Sequence, residues 1–107
     1  MREITTVGLD LAKRSFHAIG CDGHGKEVKR KMLKRGQVMT YFANLPPCVI
    51  GMEACASAHY WGRQLGTLGH EVRLIPPQHV KAYVRGNKSD YNDARAIAEA
   101  AVRPDLL

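Results

Sequence analysis

Long apolar runs are missing: no stretch of the 107 residues approaches the roughly 20 needed to span a bilayer. The opening Met1-Arg2-Glu3-Ile4 also lacks the charged-then-apolar layout of a secretory signal. Both absences argue against a membrane partner and make the cytoplasm the expected location. Cysteine is scarce, and Cys21, Cys48 and Cys55 form an odd set with no Cys-x-x-Cys pair. That argues against a disulfide framework or a zinc ribbon and leaves reduced, mostly buried thiols as the expectation. His17, His24, His59, His70 and His79 stand at no helical or zinc-finger ligand spacing from one another or from a cysteine, so a histidine metal site is not expected. Repeats, linkers and low-complexity tracts are absent as well.

Acids are also in short supply. Ten Asp and Glu against sixteen Lys and Arg leave a formal charge of +6, a surplus that suits a polyanionic partner. What is present otherwise is ordinary for one folded domain, with 45% hydrophobic and 24% charged residues. If Asp10, Glu53, Asp90 and Asp93 share one site, six acids are left for the rest of the surface, which is then strongly basic. A phosphate backbone gathered around an acidic centre fits that distribution.

Along the chain, residues 4–10 (ITTVGLD) and 15–21 (SFHAIGC) read as strands joined by a tight connection. The turn formers of Cys21-Asp22-Gly23-His24-Gly25-Lys26 predict a hairpin return over residues 27–33. That strand carries Lys29, Arg30 and Lys31 and belongs at a sheet edge, where lysines discourage further pairing. Val38, Phe42 and Leu45 space a short helix over residues 36–45, ended by Pro46-Pro47. Residues 48–53 (CVIGME) are apolar enough for a strand covered on both faces. Ser57 is the expected cap of a helix with Ala58, Trp61, Leu65 and Leu68 on one face, stopping at Gly69. A strand over 71–75, a helical piece over 78–84, a turn at Arg85-Gly86-Asn87 and a helix from about Asp90 complete the order. Helical crossovers imply parallel pairing after the first three antiparallel strands, so the prediction is an α/β fold with a mixed five-stranded sheet flanked by helices.

Asp10 and Glu53 each close an apolar strand, and each has a glycine two positions earlier on its own face: Gly8 and Gly51. The missing side chains leave room for a ligand or another backbone. In a parallel arrangement both acids sit at carboxyl ends of strands, where open α/β sheets bind ligands. Asp90 reads as a helix N-cap and Asp93 as a first-turn acid opposing the helix dipole. Yet Asp90, Ala94, Ile97 and Ala101 follow helical spacing, which aligns the acids with the apolar stripe. Partly buried carboxylates need a partner, and an oxygen-only donor set suits Mg2+ or Mn2+. Metal ions held this way support phosphodiester cleavage or strand transfer.

Three motifs carry a family resemblance: Gly8-Leu9-Asp10-Leu11-Ala12-Lys13, Gly51-Met52-Glu53-Ala54, and Asn87-Lys88-Ser89-Asp90-Tyr91-Asn92-Asp93-Ala94 with Ile97 and Glu99. With Gly69-His70 and Pro76-Pro77-Gln78 they resemble the N-terminal domain of DEDD insertion-sequence transposases, the group related to the Piv invertase that includes bridge-RNA-guided recombinases. The resemblance spans nearly the whole chain. It implies a RuvC-like, ribonuclease H-like fold over residues 1–107. Asp10, Glu53, Asp90 and Asp93 would be its catalytic, Mg2+-holding acids in a DNA transposase or recombinase that cleaves and joins DNA for an insertion sequence. It also implies DNA and a guide RNA as partners, homo-oligomers, and a separate C-terminal domain with a nucleophilic serine that is not in these residues.

For nucleic-acid contact the candidates are Lys13, Arg14, Lys29, Arg30, Lys31, Lys34, Arg35, Arg85, Lys88 and Arg95, with Lys26 in the same basic run. A solvated edge strand and plain charge balance compete with that reading. Ser57 lacks a nearby base in sequence and reads as a cap rather than a nucleophile. Phe42, Tyr60 and Trp61 read as core, and His59 and His70 as surface or helix-end residues. The alternative function is a noncatalytic nucleic-acid-binding module on the same scaffold. A sugar kinase would need glycine loops and a second lobe, neither of which is visible, and DEDD exonucleases space their acids differently.

Overall fold

A computed structural model describes residues 3–12, 14–84 and 89–103. The chain runs β1 (Thr6–Leu11), β2 (Ser15–Cys21), β3 (Glu27–Lys34), a 3-10 turn (Arg35–Gln37), α1 (Val38–Ala43), β4 (Val49–Glu53), α2 (Ala56–Gly66), β5 (Glu71–Ile75), α3 (Pro77–Lys81) and α4 (Asp90–Ala101). One sheet takes the order β3-β2-β1-β4-β5. Its first three strands are antiparallel neighbours, and β4 and β5 run parallel to β1. This is the mixed, ribonuclease H-like α/β architecture expected from the sequence, with charged β3 at the edge.

Period-two alternation divides the core between the two faces of the sheet. Val7, Leu9, Ile50 and Met52 turn toward Val38, Phe42, Ala58, Trp61 and Leu65 of α1 and α2. On the other face Ile75 meets Val80, Ile97 and Ala101, while Ile19 and Cys21 meet Ala94 and Ala98. Helix α4 is held against the sheet there because both sides are small. A Cβ at Gly8 would overlap the carbonyl oxygen of Ala94 and lie 2.6 Å from the Ala98 amide nitrogen. At Gly51 it would lie 2.7 Å from Ala101 Cβ. Of the two uses foreseen for these glycines, approach of another backbone is the one realised at Gly8.

Several local expectations are corrected. Residues 36–45 hold a 3-10 turn and the shorter α1, since the chain must leave helical geometry ahead of Pro46. Cys55, in extended conformation, occupies the cap position of α2, and Ser57 lies inside the first turn with Oγ 3.5 Å from Cys55 Sγ. The α2 helix stops at Gly66, and Gly69 follows in the left-handed region at φ +93°. Pro77 opens α3 at its first position, as its fixed φ favours. Ser89, rather than Asp90, caps α4, its Oγ accepting the Asn92 N–H at 3.1 Å. Phe42 and Trp61 are core, but Tyr60 is exposed. His70 is buried: its Nε2 donates to the Phe42 carbonyl at 2.7 Å and its Nδ1 accepts from the Cys48 N–H at 3.2 Å. The Arg85-Gly86-Asn87 turn lies outside the described residues.

Candidate functional site

Strand pairing sets the first two acids side by side. β1 and β4 are in parallel register with Gly8 opposite Gly51 and Leu9 opposite Met52, so the next position along brings Asp10 beside Glu53. Both acids project from the face that α4 covers, one step beyond the glycines. Because Gly8 draws α4 close, the first turn of that helix, with Asp90 and Asp93, lies over the same end of the sheet. Asp10, Glu53 and Asp93 line one cleft of about 330 Å³, closed on its other side by Pro77, Val80, Lys81 and Val84. Asp10, Glu53 and Asp93 are half-buried, whereas the Asp90 side chain is 58% exposed. Asp90 therefore stands at the rim, not within the apolar stripe that its spacing suggested.

Asp90 joins Asp10 through a residue that sequence spacing passed over. In the β1–β2 hairpin Asp10 is paired with His17, so the two side chains share a face. Ligand atoms of Asp10, His17 and Asp90 all lie within 4.8 Å of one another. His17 is 8% exposed, and its ring meets Tyr91 edge-on with centroids 4.9 Å apart. Its Nε2 lies 3.7 Å from Asp90 Oδ2. Lys81 was also passed over: it follows no motif and reaches the cleft only because α3 is folded back over the strand ends. The spacing of the histidines gave no sign of this position, which follows from the hairpin register that sets His17 opposite Asp10.

The basic candidates are divided by strand alternation. Lys29 and Lys31 share one face of β3 with Leu33; Lys29 Nζ lies 6.0 Å from the Tyr41 ring centroid. Lys34 is exposed at the end of β3, and Arg35 is set over Phe16 and Trp61 at 5.6 and 6.0 Å. Arg30 turns to the opposite face, where it donates to both oxygens of Glu27 at 2.7 and 3.0 Å and covers the Tyr91 ring at 4.9 Å. The hydrogen bond from Arg30 holds the Glu27 carboxyl below the usual carboxylate range. Arg95 lies 3.6 Å from Glu27 and 3.8 Å from Glu99, so it balances charge within the fold. Arg14 and Lys26 are exposed. Lys13, Arg85 and Lys88 lie outside the described residues.

A mixed five-stranded sheet with carboxylates brought from β1, β4 and the start of α4 to one end is an α/β domain of ribonuclease H type with an acidic centre. The chain belongs to the IS110-type DEDD transposase family, described as transposase, which it matches over residues 7–107. It is 56% identical over 103 residues to a probable family 20 transposase of Pseudomonas aeruginosa, covering 96% of this chain and 30% of that protein. It is 44% identical over 106 residues to the transposase for insertion sequence element IS1328 of Yersinia enterocolitica, covering 99% of this chain and 32% of that protein. The transposase for IS1111A of Coxiella burnetii is 43% identical over 106 residues, 99% of this chain and 29% of that protein. The chain thus spans about three-tenths of the length of these curated relatives. No helix among the described residues is long and apolar enough to cross a membrane.

Proposed function

We propose that this domain supplies divalent-metal-dependent phosphodiester chemistry for the movement of an insertion sequence, with Asp10, Glu53, Asp90 and Asp93 as the acidic centre. The observation that carries the reading is the shared cleft: Asp10, Glu53 and Asp93 come from three distant segments, and Asp90 stands beside Asp10 at its rim. The donor set fits a hard cation, because carboxylate oxygens are the ligands that Mg2+ and Mn2+ prefer. Bound Mg2+ or Mn2+ would polarise the scissile phosphate and activate the attacking oxygen.

The chain's own residues would do the rest. Asp10 and Glu53 are fixed by adjacent strands and change little in separation. Asp90 and Asp93 ride on α4, where they fill its first turn. Lys81 at the cleft wall is available for a substrate phosphate, and DNA is the substrate the reading requires. Exposed Lys29, Lys31, Lys34 and Arg35 give a basic surface for a nucleic-acid backbone, whether target DNA or a guide RNA, with Lys29 and Lys31 on the side of the sheet away from the acids. Action as a homo-oligomer and a role for further domains belong to the same proposal.

Nicking of supercoiled DNA by the chain in the presence of Mg2+ or Mn2+ tests it. The expected result is metal-dependent relaxation that Glu53→Gln reduces at least ~100-fold, the loss typical of removing one charge-stabilising group. DNA binding with no metal-dependent cleavage would instead assign the chain to a noncatalytic nucleic-acid-binding module.

A further inference from the structure

We infer that His17 is a fifth ligand of the acidic centre, giving it an imidazole nitrogen beside the carboxylates and a preference for Mn2+ or another transition ion over Mg2+. The inference rests on the proposed metal-dependent reading and extends it to a residue of a different donor type. Three observations carry it. His17 is more than nine-tenths buried, yet its Nδ1 has no hydrogen-bond partner among the described residues. With Nδ1 sealed inside the fold, a ligand can reach the ring only through Nε2, the nitrogen that faces Asp90. The other nitrogen, Nε2, is 3.7 Å from Asp90 Oδ2, which is beyond hydrogen-bond reach.

That spacing falls between the two that one octahedral ion sets, so a small movement of the exposed Asp90 side chain would bring both donors onto a shared ion. Two donors each about 2.1 Å from one octahedral cation lie about 3 Å apart when adjacent and about 4.2 Å when opposite. The third observation is that ligand atoms of Asp10, His17 and Asp90 cluster within 4.8 Å of one another, close enough for a short side-chain movement to gather them on one ion. The imidazole is also held in place. Its strand position opposite Asp10 fixes the Cβ, and Tyr91 against the ring restricts rotation. An added imidazole nitrogen moves the preference of an otherwise all-carboxylate site from Mg2+ toward transition ions.

Electron spin-echo spectroscopy of the Mn2+-loaded chain tests this directly, because a coordinated imidazole imposes a nitrogen coupling on the ion. The expected result is a ¹⁴N coupling that becomes a ¹⁵N coupling when histidine is ¹⁵N-labelled. In His17→Gln the coupling is lost while Mn2+ is still bound, and the Mn2+/Mg2+ affinity ratio falls by about tenfold. The labelled parent serves as the readout if the variant does not fold. Bound Mn2+ that Asp10→Asn weakens, but with no nitrogen coupling in the parent, would overturn the role of His17 and leave the carboxylate centre standing. A coupling that persists in His17→Gln would likewise overturn it. Failure of the folded parent to bind Mn2+ at all would remove both His17 and the metal-dependent reading.

Discussion

Cys48 and His70 show how polar atoms are accommodated beneath the sheet. The Cys48 backbone N–H donates to His70 Nδ1, and His70 Nε2 donates to Phe42, tying β4, β5 and α1 together through one imidazole. The Cys48 thiol beside that ring is pushed by burial from an ordinary 9.0 to about 11. The folded state thus keeps a proton that the unfolded chain releases, so stability is unaffected below about pH 9 and falls as pH rises toward 11. At about 1.4 kcal/mol per pH unit the ceiling on that loss is roughly 2–3 kcal/mol. Urea unfolding at pH 8 and pH 10.5 should show a clear fall for the parent and a smaller one for Cys48→Ala; equal falls would mean that this thiol does not set the alkaline limit. His70 was not legible as core because its partners come from residues 42 and 48, far away in sequence. Asp10 and Glu53 were legible, since each closes an apolar run behind a glycine. His17 was legible in principle: a tight connection after Leu11 forces Asp10 opposite His17, but only once the register is counted out.

Helix α4 is the element on which the centre depends. Ser89 caps it, Asp90 and Asp93 fill its first turn, and Ala94, Ala98 and Ala101 lay it close against Gly8 and Gly51. The helical spacing of Ala94, Ile97 and Ala101 predicted an apolar stripe on this helix, but the closeness of its approach depends on which strand positions face it, and that follows from pairing alone. Gly8→Ala tests the link from packing to site. The added methyl meets backbone atoms that cannot rotate away, so the cost should reach or exceed the ~3 kcal/mol upper end of ordinary overpacking. Thermal unfolding should register that loss. Metal affinity measured on the folded fraction should fall as well, because Asp90 and Asp93 shift with the helix. A Gly8→Ala protein with parental stability would contradict this packing.

At the scale of the molecule, the strand directions were legible because hairpins imply antiparallel and helical crossovers parallel pairing, whereas the order β3-β2-β1-β4-β5 comes from the fold. The division of the basic run between two faces was legible only in part: alternation separates Arg30 from Lys29 and Lys31, but the Glu27 and Tyr91 contacts that engage Arg30 arise from the fold. We propose that acids from β1, β4 and α4 act as one centre. Calorimetric titration of Mn2+ into the chain, beside Asp10→Asn, Glu53→Gln and Asp93→Asn, tests it most directly. One shared centre predicts micromolar-to-millimolar binding that each substitution weakens about tenfold or more, with the Asp10→Asn/Asp93→Asn pair losing less than the two single losses combined. Binding indifferent to Asp93→Asn, or no binding by the folded parent, would contradict the claim and leave Asp93 as a first-turn helix acid alone.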